Sequence, residues 1–273
     1  MTLLFQPGPS LSGNQIIPGL IFFLLLAFIS IRIKLLTLSG GFAAFILALL
    51  LFGLGGWNWI IPVVSFFIAS GFLSRIRETI NPAVNVYFEK SGSRDFFQVA
   101  ANGGLGGVLV LLNYFIPDKI WFCIYSGVIA SSCADTWATE MGTMKKHNTY
   151  NILNFRKVEP GSSGGVSFAG LSGAFLGALF ISLISVIWID ENQTAFVTAI
   201  IIAGFTASIF DSLLGAALQV QFKCSSCGRI IDKKIHCGME TVKYRGISFI
   251  NNDLVNFVSG LLGGAIAFSI TGR

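Results

Sequence analysis

The sequence predicts an all-α fold, a polytopic transmembrane helical bundle of about eight spans (seven to nine). Only 11% of the 273 residues are charged, against roughly 25% in a typical soluble domain. The mean hydropathy is +0.75, and the apolar runs reach the length of about 20 residues that a membrane-spanning helix needs. A strongly hydrophobic soluble protein is the alternative, and the length of these runs argues against it.

The apolar residues run continuously and do not alternate, which argues against a transmembrane β-barrel. The amino-terminal stretch 1–15 lacks the basic segment of a signal peptide, so we interpret the first apolar run as a retained helix. We expect spans at about residues 16–36, 39–55, 57–74, 95–116, 119–141, 165–189, 194–221 and 250–270.

The spans leave three long polar segments, at residues 75–94, 142–164 and 222–249, and no second soluble domain. We therefore treat residues 1–273 as a single integral-membrane domain. The second and third spans are short and are joined by GLGGW, which favours a tight helical hairpin.

With the amino terminus outside, 16 of the 18 Lys and Arg residues fall on one side of the membrane. Because basic loops stay in the cytoplasm, this asymmetry supports the span count and places the polar segments in the cytoplasm. Only Lys119 and Arg273 lie opposite. The sixteen are Arg32, Lys34, Arg75, Arg77, Lys90, Arg94, Lys145, Lys146, Arg156, Lys157, Lys223, Arg229, Lys233, Lys234, Lys243 and Arg245.

Carboxylates gather near the same basic face. Asp135 and Glu140 end the fifth span, and Asp211 lies in the cytoplasmic half of the seventh. Asp95 and Asp253 begin the fourth and eighth spans. A carboxylate inside a span costs about 2.5–3.5 kcal/mol on insertion scales and by default marks a functional site. One such Asp can be a structural capping residue, but several at one depth indicate a site.

Three of the predicted helices carry an acid, a neighbouring polar group and small residues on one face. Close helix packing explains the glycines, but it does not explain the acids. At about 100° per residue, the aligned residues are Ser131, Asp135, Thr139 and Gly142 in the fifth helix, Gly204, Asp211, Gly215 and Gln219 in the seventh, and Asp253, Asn256, Gly260 and Gly264 in the eighth.

The segment RKVEPGSSGGVSFAG is a candidate phosphate-binding turn. Arg156 and Lys157 precede a Pro-Gly turn, two serines, two glycines and the start of a helix. Backbone amides in such a turn and the helix amino terminus both favour a bound phosphate. The alternative is an ordinary helix start with Ser162 or Ser163 as N-cap. The candidate contacts are Pro160, Gly161, Ser162, Ser163, Gly164, Gly165 and Ser167.

The segment EKSGSRDFFQVAANGG continues a polar row from the membrane edge into the fourth span. Lys90, Arg94 and Asp95 lie at the edge, and Gln98 and Asn102 follow at i+4 spacing. Snorkelling of the two cations toward water is the alternative interpretation. It does not account for the two amides.

Basic groups, a phosphate-binding turn and several carboxylates together predict a polyanion held through a divalent metal. Carboxylates suit Mg²⁺, which bridges substrate phosphates, and phosphoryl transfer needs mainly positioning, metal and cations. His147 and His236 both lie in loops, so no buried histidine base is available. This favours an acceptor that is already ionised, such as a phosphate monoester with a second pKa of about 6, although an Asp could serve as base for an alcohol.

The segment CSSCGRIIDKKIHCG leaves three interpretations open: a structural zinc site, a redox dithiol, or reduced and packed thiols. A stable disulfide is disfavoured on the cytoplasmic side. Cys123 and Cys133 lie in the fifth span and are interpreted as packing residues. The candidate zinc ligands are Cys224, Cys227, His236 and Cys237.

The sequence resembles the integral-membrane family that contains plant phytyl-phosphate kinase and the animal protein called transmembrane protein 19. It is also distantly similar to the CTP-dependent polyprenol kinases, which share an Asp-rich, Gly-rich membrane motif. The resemblance covers roughly residues 70–270. Its motifs, in the family's order, are ADTWATEMG (134–142), RKVEPGSSGGVS (156–167), FDSLLGAALQ (210–219), the CxxC…HCG loop and NNDLVNF (251–257).

The resemblance implies transfer of a phosphoryl group from CTP or another nucleoside triphosphate to a prenyl monophosphate, such as phytyl or geranylgeranyl phosphate. The product would be a prenyl diphosphate for tocopherol or related isoprenoid synthesis, in a bacterial inner membrane or a plastid-type membrane. Asp135 and Asp211 match the family's acidic positions and are the first candidates for Mg²⁺, with Thr139 and Glu140 beside them. Asp253 matches the NND motif.

We therefore predict a Mg²⁺-dependent prenyl-phosphate kinase with a cytoplasmic active face, whose partners are a nucleoside triphosphate, a prenyl monophosphate and membrane lipid but no nucleic acid. The alternatives are a prenol kinase, a CDP-lipid-forming transferase and an ion or anion transporter. The catalytic candidates are Asp135, Asp211, Asp253, Arg156 and Lys157. The substrate-binding candidates outside the turn are Lys90, Arg94, Asp95, Gln98, Asn102, Ser212, Asn252 and Asn256.

Overall fold

A computed structural model describes residues 13–90, 92–145 and 148–272, with side chains from residue 17 onward. Eight long helices confirm the predicted helical bundle. Predictions that concern residues 1–12, Lys146, His147 and Arg273 lie outside the described residues. The helices are α1 (Gly13–Arg32), α2 (Leu38–Gly55), α3 (Trp57–Ile80), α4 (Phe96–Phe115), α5 (Lys119–Met144), α6 (Phe168–Ser185), α7 (Gln193–Ala217) and α8 (Asn252–Thr271).

Within these ranges, six helices are long and apolar enough to cross a membrane: α2, α3, α4, α6, α7 and α8. The apolar part of α1 is shorter, at Ile17–Arg32, and α5 is not among the six. The polytopic bundle is therefore confirmed, whereas the count of eight spans stays a prediction. Gly56 alone separates α2 from α3, in agreement with the tight connection predicted from GLGGW.

Helix α5 is the centre of the bundle. It packs against α3, α4, α6, α7 and α8, and all but one of residues 122–134 are buried. A helix that is enclosed by other helices does not face lipid, so it tolerates polar residues that a lipid-facing span excludes. This position explains why α5 is less apolar than its neighbours.

Glycines set the short distances between α5 and its neighbours. A Cβ atom on Gly127 of α5 would lie 2.6 Å from the Cβ of Ala267 and 2.7 Å from the carbonyl oxygen of Gly263, both in α8. Gly177 of α6 and Gly204 of α7 approach the α5 backbone in the same way. The structure thus shows the close packing that we weighed as the explanation of the glycines.

Several helix ends differ from the predicted edges. Helix α3 continues to Ile80 and α5 to Met144, because their polar ends pair with each other beyond the apolar part of the bundle. Helix α6 begins after Ser167, whose hydroxyl accepts a hydrogen bond from Gly170 N at 3.1 Å. This N-cap fixes the helix start three residues later than the prediction.

The polar segments fold into small antiparallel sheets, which the all-α prediction missed. Strands of two to four residues are too short to give a recognisable alternation. One sheet has the order β2-β1-β3, one has the order β5-β4-β8, and β6 pairs with β7. The strands are β1 (Thr149–Asn151), β2 (Lys157–Val158), β3 (Gly165–Val166), β4 (Gln221–Lys223), β5 (Ile230–Ile231), β6 (Ile235–His236), β7 (Met239–Glu240) and β8 (Val242–Arg245).

One end of the bundle, here called the loop end, carries the connecting segments 81–95, 145–167 and 218–251. Helices α3, α5 and α7 end there, and α4, α6 and α8 begin there. Hydrogen bonds join these ends, for example from the Asn81 side chain to the Thr143 carbonyl oxygen at 2.9 Å. The alternation of the helices therefore collects residues that are distant in sequence at one depth.

We predict that Gly127→Ala lowers the stability of the protein by about 1–3 kcal/mol, because the added methyl group overpacks the contact between α5 and α8. Thermal unfolding of the detergent-solubilised protein measures this loss. The matched control is Gly53→Ala in α2, where a Cβ would meet no atom within 4 Å. Equal losses in the two variants would contradict the packing argument.

Candidate functional site

A polar cavity of about 230 Å³ opens at the loop end, between α3–α8 and the connecting segments. The structure brings most of the predicted site residues to its wall. They are Lys90, Arg94, Gln98, Asn102, Asp135, Thr139, Glu140, Gly161, Ser162, Ser163, Gly164, Gly165, Ser167, Asp211, Ser212, Asn252, Asp253 and Asn256.

Four predicted residues do not line this cavity. Arg156 and Lys157 are exposed, and Lys157 lies in β2, an outer strand of the small sheet. Pro160 lies outside the lining, and Asp95 is the N-cap of α4. The cations that do reach the wall are Arg77, Lys90 and Arg94.

Asp135 of α5 and Asp211 of α7 lie close enough for their charges to interact. Neither forms an ion pair with any residue in the described part of the chain. The Asn256 side-chain amide is oriented so that its nitrogen, and not its oxygen, faces the neighbouring acceptors. In this orientation Asn256 Nδ2 donates a hydrogen bond to Asp211 Oδ2 at 3.1 Å. The cavity therefore holds two neighbouring carboxylates that lack a protein cation.

Glu140 is held differently, although it also lines the cavity. Its carboxylate accepts hydrogen bonds from Arg77 Nε at 2.8 Å and from Ser74 Oγ at 2.6 Å. The side chains of Arg77 and Glu140 are both buried. A buried carboxylate that is neutralised in this way joins the ends of α3 and α5, and it is already engaged without a metal.

Lys90 links the starts of α4 and α8. Its ammonium group lies 2.5 Å from Asp253 Oδ2 and 2.9 Å from Asp95 Oδ2. Asp95 and Gln98 form a capping box, in which each side chain accepts a hydrogen bond from the backbone N–H of the other. Capping thus explains Asp95 and part of the role of Gln98, and Asp253 is paired with a cation.

Three helix amino termini converge on the loop end. The N-caps of α4, α6 and α8 are Asp95, Ser167 and Asn251. Each amino terminus carries a partial positive charge from its unpaired backbone N–H groups. Residues of the first turns, including Gln98 and Asn252, line the cavity, so the wall favours bound anions.

The glycine-rich turn closes one side of the cavity. Gly164 has a φ of 76°, and a Cβ there would lie 2.3 Å from the Cβ of Ala216 in α7. Only glycine satisfies both conditions. The N-cap of α6 is Ser167, so the alternative in which Ser162 or Ser163 caps this helix is wrong. Both of those serines line the cavity.

Asp232, a buried carboxylate in the wall, was not among the residues predicted from the sequence. Its Oδ2 accepts hydrogen bonds from Ser163 Oγ at 2.7 Å and from Gln219 Nε2 at 2.9 Å. The pKa of Asp232 is raised to about 7, chiefly by burial and also by the nearby charge of Glu89, while the hydrogen bond from Ser163 opposes the rise. Because Ser163 and Asp232 are 69 residues apart in the chain, no local pattern predicts their contact.

An apolar cavity of about 90 Å³ adjoins the polar one and lies between α1, α2, α3 and α4. The two cavities share Arg94, Gln98 and Asn102. Arg94 Nη1 is buried and has no hydrogen-bond partner among the described residues. Its guanidinium group lies 5.7 Å from the ring centroid of Phe67. A half-buried cation, whose buried Nη1 atom has no partner among the described residues, therefore stands at the junction of a polar and an apolar space.

The predicted cysteine cluster also forms in the structure, away from the lining of the polar cavity. The ligand atoms of its four residues all lie within 4.8 Å of one another. Cys123 and Cys133 are buried in α5. The four residues of the cluster are Cys224, Cys227, His236 and Cys237.

A family model described as integral membrane protein DUF92 matches residues 21–264. The chain belongs to the DUF92 family. The resemblance to an integral-membrane family that we drew from the motifs is thereby confirmed, and this DUF92 protein is an integral membrane protein.

Curated relatives include two proteins of Arabidopsis thaliana and one of Synechocystis. Protein PGR of Arabidopsis thaliana is 29% identical over 262 residues, which cover 87% of this chain and 90% of that protein. An uncharacterized membrane protein of Synechocystis is 26% identical over 242 residues, which cover 87% of this chain and 83% of that protein. Protein VTE6, chloroplastic, of Arabidopsis thaliana is 23% identical, covering 85% of this chain and 64% of that protein. No solved structure matches the DUF92 chain.

The pKa of Asp232 makes a prediction about pH. Because the folded-state pKa of about 7 lies above the ordinary value of 3.8, the folded protein retains a proton that the unfolded chain releases between these two values. The contribution of Asp232 to stability is therefore lost as the pH rises from about 4 to 7. The side chain of Asp232→Asn stays neutral at every pH. We therefore expect the melting temperature of this variant, measured relative to that of wild type, to rise between about pH 4 and pH 7 and to stay constant above pH 7.

The control for this measurement is Asp190→Asn, since Asp190 is exposed in the connection between α6 and α7. Its melting temperature should follow that of wild type at every pH. A difference between Asp232→Asn and wild type that does not change with pH would show that the carboxyl group is not protonated in the folded protein.

Proposed function

We propose that this DUF92 protein is a membrane-embedded kinase that transfers the γ-phosphoryl group of a nucleoside triphosphate, with CTP favoured, to a prenyl monophosphate. The observation that carries the proposal is the continuity of the two cavities through Arg94. The polar cavity contains two carboxylates without a protein cation, and the adjoining cavity is apolar. Such a site suits an anionic head group on an apolar chain.

Arg94 is the proposed contact for the phosphate of the lipid. A buried donor without a partner is unfavourable, and a guanidinium group pairs with phosphate through two parallel hydrogen bonds. Asn102 lies beside it at the same junction. The apolar cavity then accommodates the part of the prenyl chain next to the phosphate, and the remainder extends between the helices into lipid.

The nucleotide phosphates are proposed to bind at the glycine-rich turn and the helix amino termini, where backbone N–H groups favour anions. Asp135 and Asp211 fit Mg²⁺, which prefers carboxylate oxygens and retains water ligands. When bound, Mg²⁺ neutralises charge on the transferred phosphoryl group. Glu140 and Asp253, which we also predicted for this chemistry, are already paired with Arg77 and Lys90.

The reaction joins an oxygen of the prenyl phosphate to the γ-phosphorus of the triphosphate. The bond from the γ-phosphorus to the bridging oxygen breaks, and the nucleoside diphosphate leaves with that oxygen. A phosphate monoester is largely ionised at neutral pH, since its second pKa is about 6, so the acceptor needs no general base. None of the described residues in the cavity wall is a histidine, so an acceptor that needs no histidine base suits this site.

The motifs shared with the family that contains plant phytyl-phosphate kinase support the same reaction. A transporter is the alternative from another class, and it calls for ionisable groups along a pathway near the bilayer midplane. In this protein the carboxylates gather at the loop end. A prenol kinase or a CDP-lipid-forming transferase would use the same groups, and its products distinguish it.

We expect the purified protein to transfer label from γ-labelled CTP to phytyl or geranylgeranyl phosphate and to form the diphosphate. Asp135→Asn should reduce this rate by at least about 100-fold, because one of the two carboxylates that fit the metal is lost. Asp190→Asn, far from the cavity, should keep the wild-type rate. Thermal unfolding of each variant shows whether it remains folded.

The products separate the alternatives in one experiment. Incorporation of α-label into lipid would indicate a CDP-lipid, and a labelled monophosphate formed from a prenol would indicate a prenol kinase. Uptake of anions into proteoliposomes without label transfer would indicate a transporter. Full activity of a folded Asp135→Asn variant would overturn the role of this carboxylate.

A second prediction concerns the apolar cavity, which Ala48 helps to line. Ala48→Phe fills part of this space, so we expect kcat/KM for geranylgeranyl phosphate to fall about tenfold or more. A five-carbon prenyl phosphate should be affected less, because its chain is shorter. Ala265→Phe on the exposed side of α8 is the control. Equal losses for both chain lengths would place the lipid chain elsewhere.

A further inference from the structure

The cysteine cluster lies in the 218–251 segment and is not used by the proposed reaction. Three thiol sulfurs and one imidazole nitrogen lie within 4.8 Å of one another. The four donors come from two separate turns, at residues 224–228 and 236–238. The three thiols and the imidazole of these two turns all point to one place, which indicates that they share a ligand.

The two distances from the imidazole nitrogen to neighbouring thiol sulfurs are close to the edge of a zinc tetrahedron. His236 Nδ1 lies 3.5 Å from Cys227 Sγ and 3.3 Å from Cys237 Sγ. Zinc bonds of about 2.3 Å to sulfur and 2.0–2.1 Å to nitrogen give a tetrahedral edge of about 3.6 Å between these atoms. The neighbours His236 and Cys237 therefore both reach one centre, despite their adjacency in the chain.

The backbone of both turns is shaped to present these donors. In the first turn, Gly228 N donates to the Cys224 carbonyl oxygen at 2.9 Å, and Cys224 N donates to the Arg229 carbonyl oxygen at 3.0 Å. The second turn joins β6 to β7, with Cys237 at φ 53° and Gly238 at φ 74°. Two positive φ values are typical of the two-residue hairpin turn, but they are unusual for a residue with a Cβ.

Little apolar packing holds this hairpin. Ile235 of β6 is 66% exposed and Met239 of β7 is 47% exposed. A two-stranded hairpin is marginal by itself, so its fixed position against the first turn requires another source of stability. Small elements of this kind are commonly held by a structural metal.

We propose that Cys224, Cys227, His236 and Cys237 bind one structural zinc ion. Four protein ligands leave no open coordination position, which is typical of a structural site and not of a catalytic one. Soft sulfur donors with one imidazole favour zinc over magnesium. This proposal does not depend on the kinase reaction.

The zinc site also holds one wall of the polar cavity. Asp232 lies between β5 and β6, on the connection between the two zinc-binding turns. Its backbone N–H donates to the Tyr87 carbonyl oxygen at 3.0 Å, and its side chain accepts from Ser163 of the glycine-rich turn. Zinc therefore fixes the segment that brings Asp232 to this turn.

The test is the zinc content of full-length protein purified without a polyhistidine tag and without chelators, measured by plasma mass spectrometry. We expect about one zinc per chain for wild type and less than about a tenth for Cys224→Ser and Cys237→Ser. The matched control replaces the exposed Ser225 and Ser226 in the first turn with Ala and should keep its zinc. Zinc retained by both cysteine variants, or absent from wild type, would overturn the proposal.

Wild-type protein gives a second measurement that does not depend on folding of the variants. Chelation followed by addition of Co²⁺ should give the intense visible absorption of tetrahedral cobalt with thiolate ligands, and added Zn²⁺ should remove it. A weak spectrum typical of octahedral cobalt would contradict a closed four-ligand site. Kinase activity plays no part in either readout, so failure of the proposed reaction and failure of the zinc site remain distinguishable.

Discussion

The enclosure of α5 by five other helices is the constraint on which the rest of the structure depends. A helix that carries carboxylates such as Asp135 and Glu140 in a membrane-protein bundle must face protein or a water-filled space, because hydrocarbon offers carboxylates no partners. Glycines at the contacts let the neighbouring helices close around it without a gap. The polar half of α5 then opens only toward the loop end, where the cavity forms.

Charge pairing divides the acids of the loop end into two groups. Glu140 and Asp253 are matched with Arg77 and Lys90, and these pairs join helix ends that are far apart in sequence. Asp135 and Asp211 have no such match among the described residues. Two close carboxylates repel each other in a medium of low dielectric constant, so one of them must be neutralised by a proton or by a cation such as the proposed Mg²⁺. The same residue type thus joins helix ends in one place and, in the proposed function, binds the metal in the other.

Apolar runs and the positions of the acids were enough to predict the helices and most of the cavity wall. This succeeded because antiparallel helices of similar length bring their ends to one depth, so a polar residue near one helix end meets those near the others. Arg156 and Lys157 could not be placed in this way, since the direction of their side chains depends on the register of a short strand. Asp232 was missed because its partners lie in another segment, and Arg77 because α3 continues beyond its apolar part.

The position of Arg94 between the two cavities has a consequence for the route of an amphiphile. In the proposed function, the head group and the first part of the chain occupy two cavities that meet at the same end of the bundle. A lipid that occupies this junction diffuses in from a single leaflet, and its charged head never crosses the hydrocarbon. If the proposed kinase reaction adds a phosphoryl group, translocation becomes still less favourable, and the product stays in the leaflet that supplied the substrate.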